Sequence, residues 1–495
     1  MIKIFINIPL ILVNCCLIFK FFHIFQLKDY DFKRYFKHFS KFLYFFEFLN
    51  LLIYIFNLIY FNIFIYIILN LIIFCLSIFL FKTLIRTNKT PLHLTAKMKR
   101  MILLSTITVL VVGIFISPFL ISSLLIFLPP SICMINIYDK ILNQYYIKKA
   151  KKKLATHKAK IIAITGSNGK TSVKNILCEF LSLNYSVQAT PSSFNTPLGI
   201  SKFINNQLKD NTQFLILEYG ARRIGDIKKL CNLFGADYGI VTMIGKQHLE
   251  TFKSLDNIYL AKKELPDFLN NNLCIYNLDN NLSKEMYHQK NGKRIGVSIS
   301  KNADVFANDI QIKNFKTRFK INNKNQVTTS LLGEHNVTNI LLAFALSKQL
   351  NISEEKMISA IENLKPTPHR LEYINSNFNI LDDSYNCSLA SAKSALDVLR
   401  QTEHKKMIVT PGIVEAGKES YKTNFLLGAM LAEFDYLVII GEFNKNAILD
   451  GIKTQKNSKL LIFESKTLEN ASNYYKFLKK EDCLLFLNDL PDDYN

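Results

Sequence analysis

Residues 158 to 177, KAKIIAITGSNGKTSVKNIL, carry the side chains best suited to hold a phosphate. Lys170 can reach terminal phosphates, and the Thr171 hydroxyl can ligate Mg²⁺. Gly166 and Gly169 let loop N–H groups turn toward an anion. The common phosphate loop places four residues between its two glycines. Here only Ser167 and Asn168 stand between them. IIAIT (161–165) is a β-branched run suited to a buried parallel strand, and KTSVKNILCEFLSL has apolar residues at helical spacing. Strand, loop and helix N-terminus in that order favour an anion site over a plain glycine turn.

Further groups fall where open α/β sheets bind ligands, just past the C-terminal ends of strands. FLILE (214–218) ends in Glu218, a candidate Mg²⁺ ligand. YGIVTMI (238–244) is followed by His248, and Lys262 comes later on an expected helix. A single histidine or lysine is more often a surface residue, so these gain weight only as part of a set. Asn336 and Asn339 lie three apart, on one face of an otherwise apolar helix. Packing explains them poorly, although a cap or surface position is the alternative.

As an ordered set these segments resemble the Mur ligase family, ATP-dependent amide ligases of peptidoglycan precursor synthesis. ITGSNGKTS resembles the shortened T-G-x-N-G-K-T loop of that family, which accounts for the two-residue spacing. In order follow FNTPLGI (194–200), LEYGARRIGDI (217–227), HLETF…AKKEL (248–265), GEHNVTNILLAFAL (333–346), and PHRLEYI with ILDDSYNCSLASAKSAL (368–396). The segments DDSYN and TPGIVEAG (410–417) resemble most the branch acting on UDP-N-acetylmuramoyl-tripeptide and D-alanyl-D-alanine. The likeness covers about residues 158 to 440.

The resemblance implies a two-step reaction. A substrate carboxylate attacks the γ-phosphate of ATP to give an acyl phosphate, and an incoming amine displaces phosphate to form an amide. Lys170 with the loop amides of Asn168 and Gly169, beside Gly166 and Ser172, would hold the phosphates. Thr171 and Glu218 would hold a first Mg²⁺; His248 and a carbamylated Lys262 would hold a second. A carbamate turns a repelling ammonium into an oxygen donor that a hard cation prefers. The neighbouring Lys263 makes this a register choice, and Lys262 is favoured because its spacing of fourteen from His248 matches the family branch. Asn336 and Asn339 would face the adenine, Arg370 the phosphates and Asp383 the ribose, with Asp382 free to cap the following helix. Asn195 and Thr196 would lie on the acceptor side, and Tyr385 and Asn386 on the dipeptide side, where a simple turn is the alternative. A monomer is expected, and nucleic acid is not an expected partner.

These residues need elements to position them. The expected fold is α/β: a central parallel-sheet ATP-binding domain with the phosphate loop (161–364) and a smaller Rossmann-like α/β domain (365–495). The second has strands expected near NILDD, KMIVT, YLVII and CLLFL, and 303–332 should add a hairpin to the first. Residues 141–160 read as a basic connector. Ahead of it, apolar tracts at 4–26, 42–81 and 101–138 read as a transmembrane bundle of four or five helices over residues 1–140, since a span needs roughly 20 apolar residues. Basic stretches at 27–41, 82–100 and 148–153 would face the cytoplasm by the positive-inside rule. That makes the chain a multi-pass inner-membrane protein in contact with lipid, its catalytic part on the cytoplasmic side. The tracts would stand in place of the N-terminal domain that grips the UDP-sugar in the family, since 139–160 is too short for it.

Composition excludes several classes. The net charge of +22 invites nucleic acid, but Lys and Asn are abundant throughout beside Ile and Phe, and the basic runs flank apolar tracts. The nine cysteines contain no C-x-x-C pair, so neither a disulfide framework nor a thiolate metal site is indicated. A membrane ATPase or transporter is the rival class, against which the tracts hold almost no ionisable residues of the kind transport paths need. A ligase acting on a lipid-linked or different acceptor is the nearer alternative.

Overall fold

The structure, a computed structural model, describes residues 94 to 488 except 116–123, 192–193, 246–248, 290–291, 386, 415–418 and 456–457, together with Phe22, Phe25 and Gln26. The described residues fall into two compact units that meet in sequence at Tyr145 and Tyr146.

The second unit is built on two sheets. Strands β1 (Lys160–Thr165), β2 (Val187–Ala189), β3 (Phe214–Glu218), β4 (Tyr238–Val241), β5 (Cys274–Asn277), β6 (Arg294–Ser298), β7 (Val305–Lys313), β8 (Lys316–Ile321) and β9 (Asn325–Thr329) form the first. Their order is β2-β3-β1-β4-β5-β6-β7-β8-β9. Pairing is parallel from β2 to β7 and antiparallel from β7 to β9. The expected hairpin at 303–332 is thus three strands. Both faces of β1 are covered, as its unbroken apolar run requires. Ile162 and Ile164 pack with Val173, Phe180, Leu341 and Phe344, while Ile161 and Ala163 pack with Phe203, Leu217 and Leu265.

The other sheet holds β10 (Glu372–Asn375), β11 (Asn379–Asp383), β12 (Lys406–Thr410), β13 (Tyr436–Ile440), β14 (Leu461–Ser465) and β15 (Cys483–Leu487). Its order is β10-β11-β15-β12-β13-β14, and only β10 runs antiparallel to its neighbour. The four strands expected from the sequence are its centre. The two it lacked, β10 and β14, are edges with exposed positions.

The transmembrane bundle and the multi-pass membrane localisation are corrected. Among the described residues no helix is long and apolar enough to cross a membrane. The described part of the third tract lies in helices Ala96–Phe115 and Leu124–Thr156. Charges read as flanks of spans are engaged with protein instead. Arg100 Nη2 donates to Asp139 Oδ1 at 2.6 Å, and Lys97 Nζ is 3.4 Å from Asp139 Oδ2. The basic run 148–153 is helical, and Lys153 Nζ donates to the Leu208 carbonyl at 2.8 Å. The tracts 4–26 and 42–81 lie, but for Phe22, Phe25 and Gln26, outside the described residues.

Candidate active site

The turn after β1 is held from both sides. Ser167 N donates to the Met243 carbonyl at 2.7 Å, and the Ser167 hydroxyl to the Gly245 carbonyl at 2.9 Å. Thr242 Oγ1, just past β4, donates to the Asn168 carbonyl at 2.6 Å. The backbone leaves no room for larger residues. A Cβ on Gly166 would collide with Thr242 Oγ1, and one on Gly169 (φ +87°) would stand 2.7 Å from Asn339 Oδ1. With Gly169 as N-cap, helix Lys170–Ser182 aims its free N–H groups and positive dipole end into the turn.

Lys170 folds back over the loop, its Nζ donating to the carbonyls of Gly166 and Ser167, each at 2.7 Å. Burial pulls its ammonium down to about 8; Glu218 works against this shift and Arg370 adds to it. Thr171 Oγ1 stands 3.3 Å from Glu218 Oε2 at the end of β3, so two oxygen donors converge beside the helix N-terminus. The other carboxylate oxygen, Oε1, pairs with Lys174 Nζ at 2.7 Å, and both side chains are 2% exposed. Ser172 lines the adjoining cavity.

Of the two neighbouring lysines, Lys262 is buried on helix Leu255–Leu269, whereas Lys263 Nζ bonds Gln289 Oε1 at 2.8 Å. Burial, reinforced by the charge of Lys170, drives the Lys262 ammonium well below its ordinary range; Asp226 and Glu264 oppose the shift. A neutral amine is the form that can take up carbon dioxide. His248 and Asn386 lie outside the described residues.

Asn336 and Asn339 are buried, neither capping nor at the surface. Asn336 Nδ2 donates to the Leu332 carbonyl at 2.8 Å, Asn339 Nδ2 to Asn336 Oδ1 at 3.2 Å, and the pair abuts the phosphate loop at Gly169. Asn195 lies against Gly220, two residues past Glu218. The Thr196 hydroxyl is taken up as a helix cap, accepting from Gly199 N at 3.3 Å.

Residues after 365 meet this edge directly. Asn168 Nδ2 donates to Ser388 Oγ and Asn175 Nδ2 to Thr367 Oγ1, each at 3.2 Å. Arg370 stacks over the exposed Tyr385 ring, 4.4 Å from its centroid. The acidic pair divides. Asp382 accepts from Ser384 and pairs with His369 Nδ1 at 2.7 Å, while Asp383 Oδ1 accepts Leu371 N at 3.1 Å. Neither caps the following helix, a task Ser388 performs. A cavity of about 700 Å³ adjoins the loop, bounded by Thr171, Ser172, Asn175, Asn336, Pro366 and Arg370.

Burial lifts the Asp383 carboxyl from 3.8 to about 7, against the pull of Arg370. Between those values the folded chain holds a proton that the unfolded chain has lost, so stability falls as pH rises through the window. A shift of that size corresponds to roughly 4 kcal/mol. Asp383→Asn is therefore expected to flatten the decline in melting temperature between about pH 4.5 and 7.5. An unchanged slope would place the titrating group elsewhere.

Sequence reasoning missed Lys174, Thr242 and Ser388. For Lys174 one signal was present, since it stands four residues after Lys170 and so shares its helix face.

A phosphate loop on a parallel-dominated sheet, met by a second α/β sheet at the same edge, defines an α/β protein of the phosphate-loop class. Residues 164–347 match the Mur ligase middle domain. The UDP-N-acetylmuramoyl-tripeptide–D-alanyl-D-alanine ligase of Buchnera aphidicola subsp. Acyrthosiphon pisum is 31% identical over 341 residues, 67% of this chain and 73% of that protein. Its counterpart from Buchnera aphidicola subsp. Baizongia pistaciae is 32% identical over 298 residues, 58% of this chain and 64% of that protein. The chain thus spans about two thirds of the length of these relatives. Among solved structures, MurF from Acinetobacter baumannii matches at TM-score 0.64 and 25% identity, covering 70% of this chain and 78% of that one. MurF ligase from Thermotoga maritima in complex with ADP matches at TM-score 0.63 and 25% identity, covering 70% and 80%. The chain belongs to the Mur ligase family.

Proposed function

We propose that the chain is an ATP-dependent amide ligase that joins D-alanyl-D-alanine to UDP-N-acetylmuramoyl-tripeptide. The observation that carries this reading is the gathering of Lys170, the Thr171–Glu218 oxygen pair and the buried Lys262, with Arg370 and Asp383 also within charge range of Lys170 or each other. The residues fit a magnesium nucleotide. Among the described residues no cluster of three or more His, Cys, Asp or Glu could hold a metal alone. One carboxylate and one hydroxyl are what Mg²⁺ takes from protein when phosphates and water complete its shell.

ATP with Mg²⁺ supplies the phosphoryl group that activates the tripeptide carboxylate. Lys170 exchanges its two carbonyl partners for phosphate oxygens, and the loop amides after Gly166 neutralise charge that grows in the transition state. Thr171 and Glu218 hold the first ion. Lys262, as a carbamate, serves a second with His248. Asn336 and Asn339 fix the loop and face the nucleotide, Arg370 meets the phosphates and Asp383 the ribose. Asn195 guards the acceptor side, with Thr196 capping the helix behind it, and Tyr385 with Asn386 the dipeptide side. In this reading residues 161–364 carry the nucleotide and 365–495 close on it.

The test is a reconstitution with ATP, Mg²⁺, UDP-N-acetylmuramoyl-tripeptide and D-alanyl-D-alanine, following ADP release and pentapeptide mass. Turnover is expected only with both acceptor and dipeptide present, and a lipid-linked tripeptide should be the poorer acceptor. ADP release that needs neither substrate would overturn the ligase reading.

A further inference from the structure

Lys174 occupies a place that stability alone does not explain. It is 2% exposed on the buried face of helix Lys170–Ser182, and its Nζ lies 2.7 Å from both Glu218 Oε1 and the Thr190 carbonyl. Desolvating both charges of a buried ion pair costs about as much as their attraction returns, and apolar residues of like volume often serve as well. What the pair does fix is the carboxylate. One oxygen is taken by Lys174, and the other, Oε2, is left to face Thr171 Oγ1 at 3.3 Å beside the helix N-terminus.

This division has two consequences. Glu218 can offer a cation one oxygen and not a two-oxygen grip. Its charge is also already balanced, so a divalent ion arriving alone gains little at the site. The phosphates of a nucleotide must contribute the missing negative charge. We propose that Lys174 is a positioning residue that holds Glu218 for one-oxygen coordination and makes divalent-cation binding dependent on nucleotide. The inference rests on Glu218 being a metal ligand, as in the ligase reading.

Mn²⁺ binding by electron paramagnetic resonance at pH 8, with and without ADP, tests it without any acceptor substrate. Wild type is expected to bind Mn²⁺ weakly alone and much more tightly with ADP. Lys174→Met should tighten binding of Mn²⁺ alone by at least about tenfold, because a unit charge beside the ion is removed, and should shrink the gain from ADP by a similar factor. Lys174→Arg should keep the wild-type pattern. Lys174→Gln retains a donor for Glu218 and Thr190 and should behave as the Met variant, which keeps the test open if the Met chain fails to fold. Unchanged Mn²⁺ affinity and unchanged ADP dependence in a folded Met or Gln variant would overturn the role of Lys174. Glu218→Ala separates the two levels, since it should abolish the ADP-dependent Mn²⁺ site. If it does not, the assignment of Glu218 as metal ligand falls, and the Lys174 inference with it.

Discussion

Lys262→Ala is expected to lower ligation by roughly 10²–10³-fold, the scale for losing one preorganised charge partner of a transition state. The size of the effect follows from what the side chain can become. At 3% exposure, with Lys170 nearby, an ammonium at Lys262 is disfavoured by burial and by repulsion, so it loses its proton at a pH well below the ordinary lysine range. The unprotonated nitrogen can attack carbon dioxide, form an N–C bond and release a proton, leaving a carbamate with two oxygens. The net charge at that point changes from positive or neutral to negative, which favours a second cation where an ammonium would expel it. Small carboxylic acids such as formate or acetate, added at high concentration, should restore part of the Ala variant's activity by placing an oxygen anion in the vacated space. Lys263→Ala should stay within about threefold of wild type, because its Nζ is engaged with Gln289 instead. ADP release in the presence of both substrates measures all three. Normal activity in Lys262→Ala would remove the carbamate from the mechanism.

The strands that carry the site were legible because both their faces are buried. Runs such as IIAIT and FLILE have no polar alternation to confuse with a helix or a loop, and they became β1 and β3. Edge strands gave no such signal. In β14 the pattern LIFES leaves Leu461 and Ile462 exposed, so hydropathy alone does not say which side meets a core. Hydropathy also misled at 101–138. Apolar content suggested spans, whereas among the described residues no helix is long and apolar enough to cross a membrane. Hydropathy hid Lys174 as well. A lysine among apolar neighbours on an amphipathic helix reads as a residue turned to water, and only the arrival of Glu218 from β3 gives its charge a buried partner. Spacing from His248 favoured Lys262 over Lys263, but the burial that separates the two needed the helix to be packed, since adjacent positions differ by about 100° around its axis.

Lys170→Met is expected to lower kcat/KM for ATP by about 10²–10³-fold, again the cost of one charge aimed at the transferring phosphoryl group. The pH dependence of the wild type gives a finer check. Burial, with a further push from Arg370, brings the Lys170 ammonium down to about 8. Because the unfolded chain holds that proton up to about 10.4, the lysine costs stability below about pH 8. That cost is relieved as pH rises through the interval between the two values. Phosphate binding requires the protonated form, so the two effects run in opposite directions. In kcat/KM, which reports the free enzyme, activity should fall as pH rises through about 8. In kcat the bound phosphates hold the proton on Lys170, and the fall should move to higher pH. The Met variant should lack the alkaline fall in kcat/KM altogether while keeping its fold. A wild-type profile that is flat in kcat/KM from pH 7 to 9 would mean that the Lys170 ammonium does not titrate near 8, whereas an unchanged kcat/KM in Lys170→Met would mean that Lys170 is not the group that receives the phosphates.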